Sequence, residues 1–395
     1  MRDLHRDTPG RWTRAGLRVA ALIGVVLALL FVTTDHHGDA PQSAGVTATA
    51  ARPSPPVQPA TGPGGAALSY GAVLRNRYGS GDGEVWIFEP DQPRPATAPL
   101  VVFLHGWGGS NPRVYGAWID HIVRRGAVVV FPRYQADLAT SPERFAPQAA
   151  AAVRDALGIL HNEPGHVQPQ TGRVAYVGHS VGGLLAVALA ARAEAEGLPA
   201  ARAVMAVNPG LAGSGAAVAL PDLVTIAPGT LLLAVAGDAD RFAGEDDARR
   251  IVDEASRVAP ADKNLVVLHS DEHGLPALRA DHFAALAPDS AYDSGEAPAS
   301  LGASQRERMR ERGRDRVAEG AELDIAASVE NAAAPRAAVD ALDWFGLWKL
   351  FDALSDAAFF GTGRDAALGD TTRQRFMGHW SDGVPVREAE VRAGK

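Results

Sequence analysis

Residues 173–183 read Arg-Val-Ala-Tyr-Val-Gly-His-Ser-Val-Gly-Gly and run on into the Ala- and Leu-rich stretch 184–196. The pattern predicts a short apolar strand, a tight turn with Ser180 at its tip, and a helix. In that setting Gly178-x-Ser180-x-Gly182 has the form of a nucleophile elbow. A residue on so sharp a strand-to-helix turn takes strained backbone angles, and the positions two away must lack side chains for the backbones to pass. The turn also sets the Ser180 hydroxyl beside the positive end of the following helix.

Working outward, short apolar runs alternate with helical patterns. Residues 70–78 and 84–89 alternate as two strands joined by a Gly-rich hairpin turn at 79–83. Residues 100–104, 127–131, 203–207, 230–236 and 264–269 are near-continuously apolar, as in strands buried on both faces of a parallel sheet. Helices are expected over 112–125, 145–160 and 245–258. Such alternation implies right-handed crossovers and an α/β fold with a mostly parallel central sheet flanked by helices. Chemistry in such sheets gathers at the carboxyl ends of the strands.

Three further segments fall at those ends. His105-Gly106-Trp107-Gly108-Gly109 follows the first buried strand, Gly237-Asp238-Ala239-Asp240 follows a later one, and His269, His273 and His282 end or follow the last. A serine hydroxyl is a poor nucleophile until an imidazole takes its proton, and that imidazole needs a carboxylate to fix its tautomer. The order loop, Ser180, acid, histidine resembles the α/β-hydrolase superfamily over about residues 70–283. Among its branches the chain is most similar to serine esterases and lipases of the chlorophyllase, dienelactone-hydrolase and polyester-hydrolase type.

The resemblance implies an acid three positions after the glycine, which selects Asp240 and leaves Asp238 to brace the loop. It implies His273 as the base, in the loop just beyond the sheet edge, with His282 as the alternative if the intervening turn folds back. It assigns the oxyanion hole to the backbone N–H groups of Trp107 and Val181. His105 and His179 are given structural roles. Tyr115 and Trp118 either line an apolar acyl pocket with Trp107 or pack the first helix.

The ends of the chain carry a different signal. Arg2, Arg6, Arg11, Arg14 and Arg18 precede an uncharged apolar run at 19–32, a basic region before a hydrophobic one. No small-residue cleavage site follows closely, so the expectation is an uncleaved signal anchor over 1–32, with Arg on the cytoplasmic side. Residues 33–65 read as a Pro/Ala/Gly-rich tether, 66–283 as the hydrolase domain, 284–336 as a charged low-complexity insertion, and 337–395 as a helical extension packing on that domain. The Arg- and Ala-rich usage resembles GC-rich bacterial coding, and the anchor and tether together place the catalytic part outside a bacterial cell membrane, or secreted if the signal is cleaved.

Composition narrows the function. A 46% hydrophobic, 21% charged chain can bury a sizeable core. A net charge of −8 without a basic stripe on the body argues against nucleic acid as a partner. The absence of cysteine excludes thiolate metal sites. With no metal-ligand spacing, phosphate loop or dinucleotide fingerprint, neither a cofactor nor a metal is expected. The expected activity is hydrolysis of small-molecule or lipid-like carboxylic esters through an acyl-serine intermediate. Acyl transfer to a cell-envelope alcohol and a catalytically silent binding domain are the alternatives.

Overall fold

The computed structural model describes residues 52–137, 140–210, 220–295 and 338–394. The apolar run at 19–32, the tether as far as residue 51 and the charged run at 306–316 lie outside the described residues. No helix among the described residues is long and apolar enough to cross a membrane.

Among the described residues nine strands form one sheet. They are β1 (Ala72–Tyr78), β2 (Val85–Asp91), β3 (Thr97–Leu104), β4 (Val128–Pro132), β5 (Gln168–His179), β6 (Ala203–Val207), β7 (Leu231–Gly237), β8 (Lys263–Leu268) and β9 (Glu390–Ala393). Their order is β1-β2-β4-β3-β5-β6-β7-β8-β9. The stretch from β4 to β8 is parallel, while the pairs β1–β2, β2–β4 and β8–β9 at the two edges are antiparallel. The strand order reverses around β3, so the crevice at the carboxyl ends of β3 and β5 is the topological switch point.

Alternating side chains of the buried strands feed two cores. Leu100, Val102, Leu104 and Val130 face α2 (Phe145–Asn162), α3 (Val181–Arg192) and α4 (Asp246–Glu254). Val101, Phe103, Val129 and Phe131 face α1 (Gly116–Arg125) and α5 (Trp348–Phe360). Helix α3 is buried along almost its whole length, which explains why its sequence has no polar face.

The chain ends on this body differ from the expected boundaries. Residues 52–65, read as tether, pack against the C-terminal extension. Leu275 N–H donates to the Pro53 carbonyl (2.9 Å), and Ser381 N–H donates to the Ser54 carbonyl (3.0 Å). Gly64 N–H donates to the buried Asp352 carboxylate (2.7 Å), which also takes His121 Nε2 at 2.8 Å. The run closes on itself near its end, where Gly65 N–H donates to Gly62 O (3.0 Å) and Ala66 N–H to Pro59 O (2.8 Å), and leaves the carbonyls of Pro53 and Ser54 to the body. At the other end, residues 342–347 form a π-helix leading into α5, and α6 (Thr372–Arg375) follows. The Lys349 ammonium caps that turn through the carbonyls of Gln374 (3.0 Å) and Phe376 (2.6 Å). The last strand of the sheet is β9, not β8; four residues with two half-buried side chains gave too short an alternation to read.

Candidate active site

Ser180 sits between β5 and α3 with φ +58° and ψ −125°, a region that L-residues avoid. The surrounding glycines make this possible. A Cβ at Gly178 would lie 2.1 Å from the Gly182 carbonyl oxygen, and one at Gly182 would lie 2.1 Å from that of Leu104. The elbow is therefore pressed against the end of β3. Ser180 N–H donates to Val207 O (2.9 Å), and Gly183 N–H returns to Ser180 O (2.9 Å).

The structure brings Ser180 together with His282 and Asp240. Ser180 Oγ lies 3.0 Å from His282 Nε2, and His282 Nδ1 lies 2.8 Å from Asp240 Oδ2. The other carboxylate oxygen of Asp240 accepts the N–H groups of Phe242 (2.8 Å) and Ala243 (2.9 Å). Asp238 turns away, accepting the Ser270 hydroxyl (2.7 Å) and N–H (2.9 Å).

His273, the preferred base on sequence, does not reach this group. Its Nε2 bonds with Asp382 in the C-terminal extension at 2.7 Å, and more than a third of its side chain is exposed. The reason is a small fold-back after β8. Asp271 and Leu278 exchange backbone hydrogen bonds, both 2.9 Å, so His273 is carried out to the tip. The returning strand is fastened by Ala239 N–H to Ala280 O (3.0 Å) and by Ala280 N–H to Ser270 Oγ (3.0 Å). His282 then falls beside Ser180.

A residue missed on sequence holds this return. Asn208 accepts Gly237 N–H at Oδ1 (2.9 Å) and donates from Nδ2 to Asp281 O (3.1 Å), joining the acid and histidine loops. The signal available was the strand break Asn208-Pro209-Gly210, which reads equally as a turn.

On the opposite side, loop 105–109 lies against the elbow, for a Cβ at Gly106 would stand 3.4 Å from Ser180 Cβ. Gly108 N–H donates to Gln135 Oε1 (2.8 Å), and His105 stacks on Tyr134 with ring centroids 4.0 Å apart. Trp107 is half-buried and packs on Phe145. Val181 opens α3, where the first N–H groups have no partner within the helix. Tyr115 and Trp118 are buried against Phe103 beneath the site and line no open pocket. The exposed aromatic at the site is Phe242, 54% accessible and 5.3 Å ring to ring from His282. No cluster of three or more metal-ligating side chains occurs among the described residues.

Known proteins resemble part of the chain. The chlorophyllase family model matches residues 77–237, which hold loop 105–109, the elbow and the approach to the acid. Chloroplastic chlorophyllase-1 of Citrus unshiu is 32% identical over 114 residues, covering 26% of this chain and 34% of that protein. The same figures hold for chlorophyllase-1 of Citrus sinensis. The matched stretch thus spans about a third of the length of these curated relatives. Among solved structures, a double mutant of the esterase rPPE is similar at 16% identity and TM-score 0.38, over 50% of this chain and 72% of that one.

The electrostatics follow from burial. Burial pushes the Asp240 carboxyl up, but the hydrogen bond and charge of His282, with the two backbone N–H groups, hold it below the ordinary carboxylate range. Burial lowers His105 to about 4 against the bond to the Gly106 carbonyl, with the Arg133 charge adding to the fall. Burial and the neighbouring His282 lower His179 to about 3. Both imidazoles are therefore neutral in the folded protein while an unfolded chain protonates them near pH 6.5. The unfolded state binds more protons below that pH, so stability is lost on acidification. Each group contributes about 1.4 kcal/mol per pH unit inside its window. Ring-proton NMR of the folded protein followed from pH 7.5 to pH 5 is expected to show neither His105 nor His179 taking up a proton; a titration of either ring in that range would contradict the buried neutral state.

Proposed function

We propose that this chain, an α/β-hydrolase of the esterase and lipase type, cleaves carboxylic esters through a covalent acyl-Ser180 intermediate. The observation that carries the reading is the hydrogen-bonded chain Ser180–His282–Asp240, at 3.0 and 2.8 Å, with the serine on a strained elbow. His282 Nε2 takes the Ser180 proton as Oγ adds to the ester carbonyl carbon. The tetrahedral oxyanion is received by the N–H groups of Trp107 and Val181. His282 then protonates the departing alkoxide, leaving the acyl group on Ser180. Water enters, gives its proton to His282 and adds to the acyl carbon; collapse returns the proton to Ser180 and frees the acid. Asp240 stays ionised and holds the Nδ1–H tautomer throughout.

Turnover of a p-nitrophenyl ester and labelling by a fluorophosphonate test the assignment together. Ser180→Ala and His282→Ala should each lower kcat by about four orders of magnitude or more, whereas His273→Ala should stay near wild type. An inactive His273→Ala beside an active His282→Ala would reverse the choice of base.

The exposed Phe242 ring beside His282 favours an ester with an apolar portion, since a bound alkyl or aryl group covers it. Phe242→Ala should raise KM by about tenfold for long-chain esters, the value of one partly buried aromatic contact, and leave acetate esters little changed. Equal effects along the chain-length series would remove Phe242 from substrate binding.

The same reading keeps the catalytic body outside a cell membrane, tethered by the Arg-flanked apolar run 19–32. Carbonate-washed membranes should retain the full chain and release a variant lacking residues 1–32. Equal release of both would dismiss the anchor.

A further inference from the structure

A directed hydrogen-bond chain crosses beneath the nucleophile. Gly106 N–H donates to Tyr115 Oη at 2.8 Å, and Tyr115 Oη lies 3.0 Å from His179 Nδ1. His179 Nε2 lies 2.8 Å from the carbonyl oxygen of His282. A carbonyl only accepts, so His179 carries its proton on Nε2 and offers Nδ1 as an acceptor. The phenol, having accepted from Gly106, gives its own proton to that Nδ1. Donors and acceptors match at each step, and every group between the two ends is buried.

We infer that Tyr115 and His179 are positioning residues that hold the base loop and the oxyanion loop in register across the elbow. The inference rests on the reading of Ser180, His282 and Trp107 given above. Three loops meet here, from the ends of β3, β5 and β8, and nothing local in the sequence fixes their spacing. One end of the chain is the amide next to Trp107; the other is the main chain of His282 itself. Asn208 holds the preceding carbonyl, that of Asp281, so the base is gripped by two consecutive main-chain oxygens.

Burial adds a second consequence. The His179 and His282 rings stand 4.8 Å apart. A charged His179 would oppose the imidazolium that forms on His282 during reaction. Desolvation keeps it uncharged and makes it a fixed donor rather than a competing base. A purely structural role would need only shape and satisfied polar atoms, and would leave the reacting geometry alone.

Substitution separates the two roles. Tyr115→Phe keeps the ring packed on Phe103, 5.0 Å away, and deletes only the hydroxyl. It should lower kcat by between about 10- and 100-fold, as loss of alignment does, with KM changed less than about twofold, and slow fluorophosphonate labelling of Ser180 in proportion. His179→Leu should behave alike. His179→Gln should recover most of the loss, because its amide can still donate to the His282 carbonyl. An active wild type whose Tyr115→Phe and His179→Leu variants keep full kcat would sink the positioning role alone. A wild type that neither turns over esters nor labels at Ser180 would sink the underlying reading and this inference with it. Should the variants fail to fold, ring nitrogen NMR of the intact wild-type chain decides: His179 must show Nε2 protonated and Nδ1 free, and the opposite tautomer overturns the chain of bonds.

Discussion

The close approach of two backbones at the end of the sheet governs this molecule. Ser180 can hold a positive φ only because Gly178 and Gly182 let the crossover pass within contact of itself and of the β3 carbonyls. Because Leu104 pairs with Gly178 in the sheet, residue 105 leaves the sheet at the level where the elbow turns. The distance from Ser180 to loop 105–109 is thus a matter of strand register, which the apolar pattern of both strands fixes. A methyl group at either glycine would disturb not one contact but the relation of both loops.

The other half of the site depends on polar groups that are buried and paired. Asp240 accepts three hydrogen bonds, and His282 is held at both ring nitrogens and at its main-chain carbonyl. In low dielectric an unpaired member of such a set is costly, so full pairing narrows the arrangement to one. Apolar packing sets the frame and leaves such loops free to choose among positions; directional bonds from Asn208, Ser270 and Ala239 remove that freedom. The acid and histidine loops are accordingly fastened to one another as well as to the strand ends, through the side chains of Asn208, Asp238 and Ser270.

Much of this was legible in the sequence because local patterns recur at each strand: apolar runs, a glycine-flanked serine, an acid after Gly237. Asp240 over Asp238 came from the resemblance, which sets the acid three positions after the glycine. The histidine was not legible. Between His269 and His282 the chain makes a reversal closed by Asp271 and Leu278, and nothing in the residue types there separates a loop that runs straight from one that doubles back. Likewise the strap at 52–65 has the composition of a flexible linker. Its bonds run through main-chain groups common to every residue, the N–H of Ser54 and Gly64 donating and the carbonyls of Pro53 and Ser54 accepting, so only the partners on the body, Asp352 and Ser381 among them, reveal that it is held. His179 was given only a structural role because its partners, Tyr115 and a carbonyl at 282, are remote in sequence.

One feature of the sheet bears on how the protein is made. The outer edge of β8 is paired by β9, antiparallel from Asn264 with Ala393 to Val267 with Glu390. Every residue from 269 to 389 must be synthesised before that partner exists, a delay on the order of ten seconds at ordinary ribosomal speeds. During that interval a buried-type apolar strand presents a row of unsatisfied main-chain groups, the kind of template to which a second nascent chain can add. Covering this edge during synthesis would therefore raise the yield of folded protein without altering its final stability.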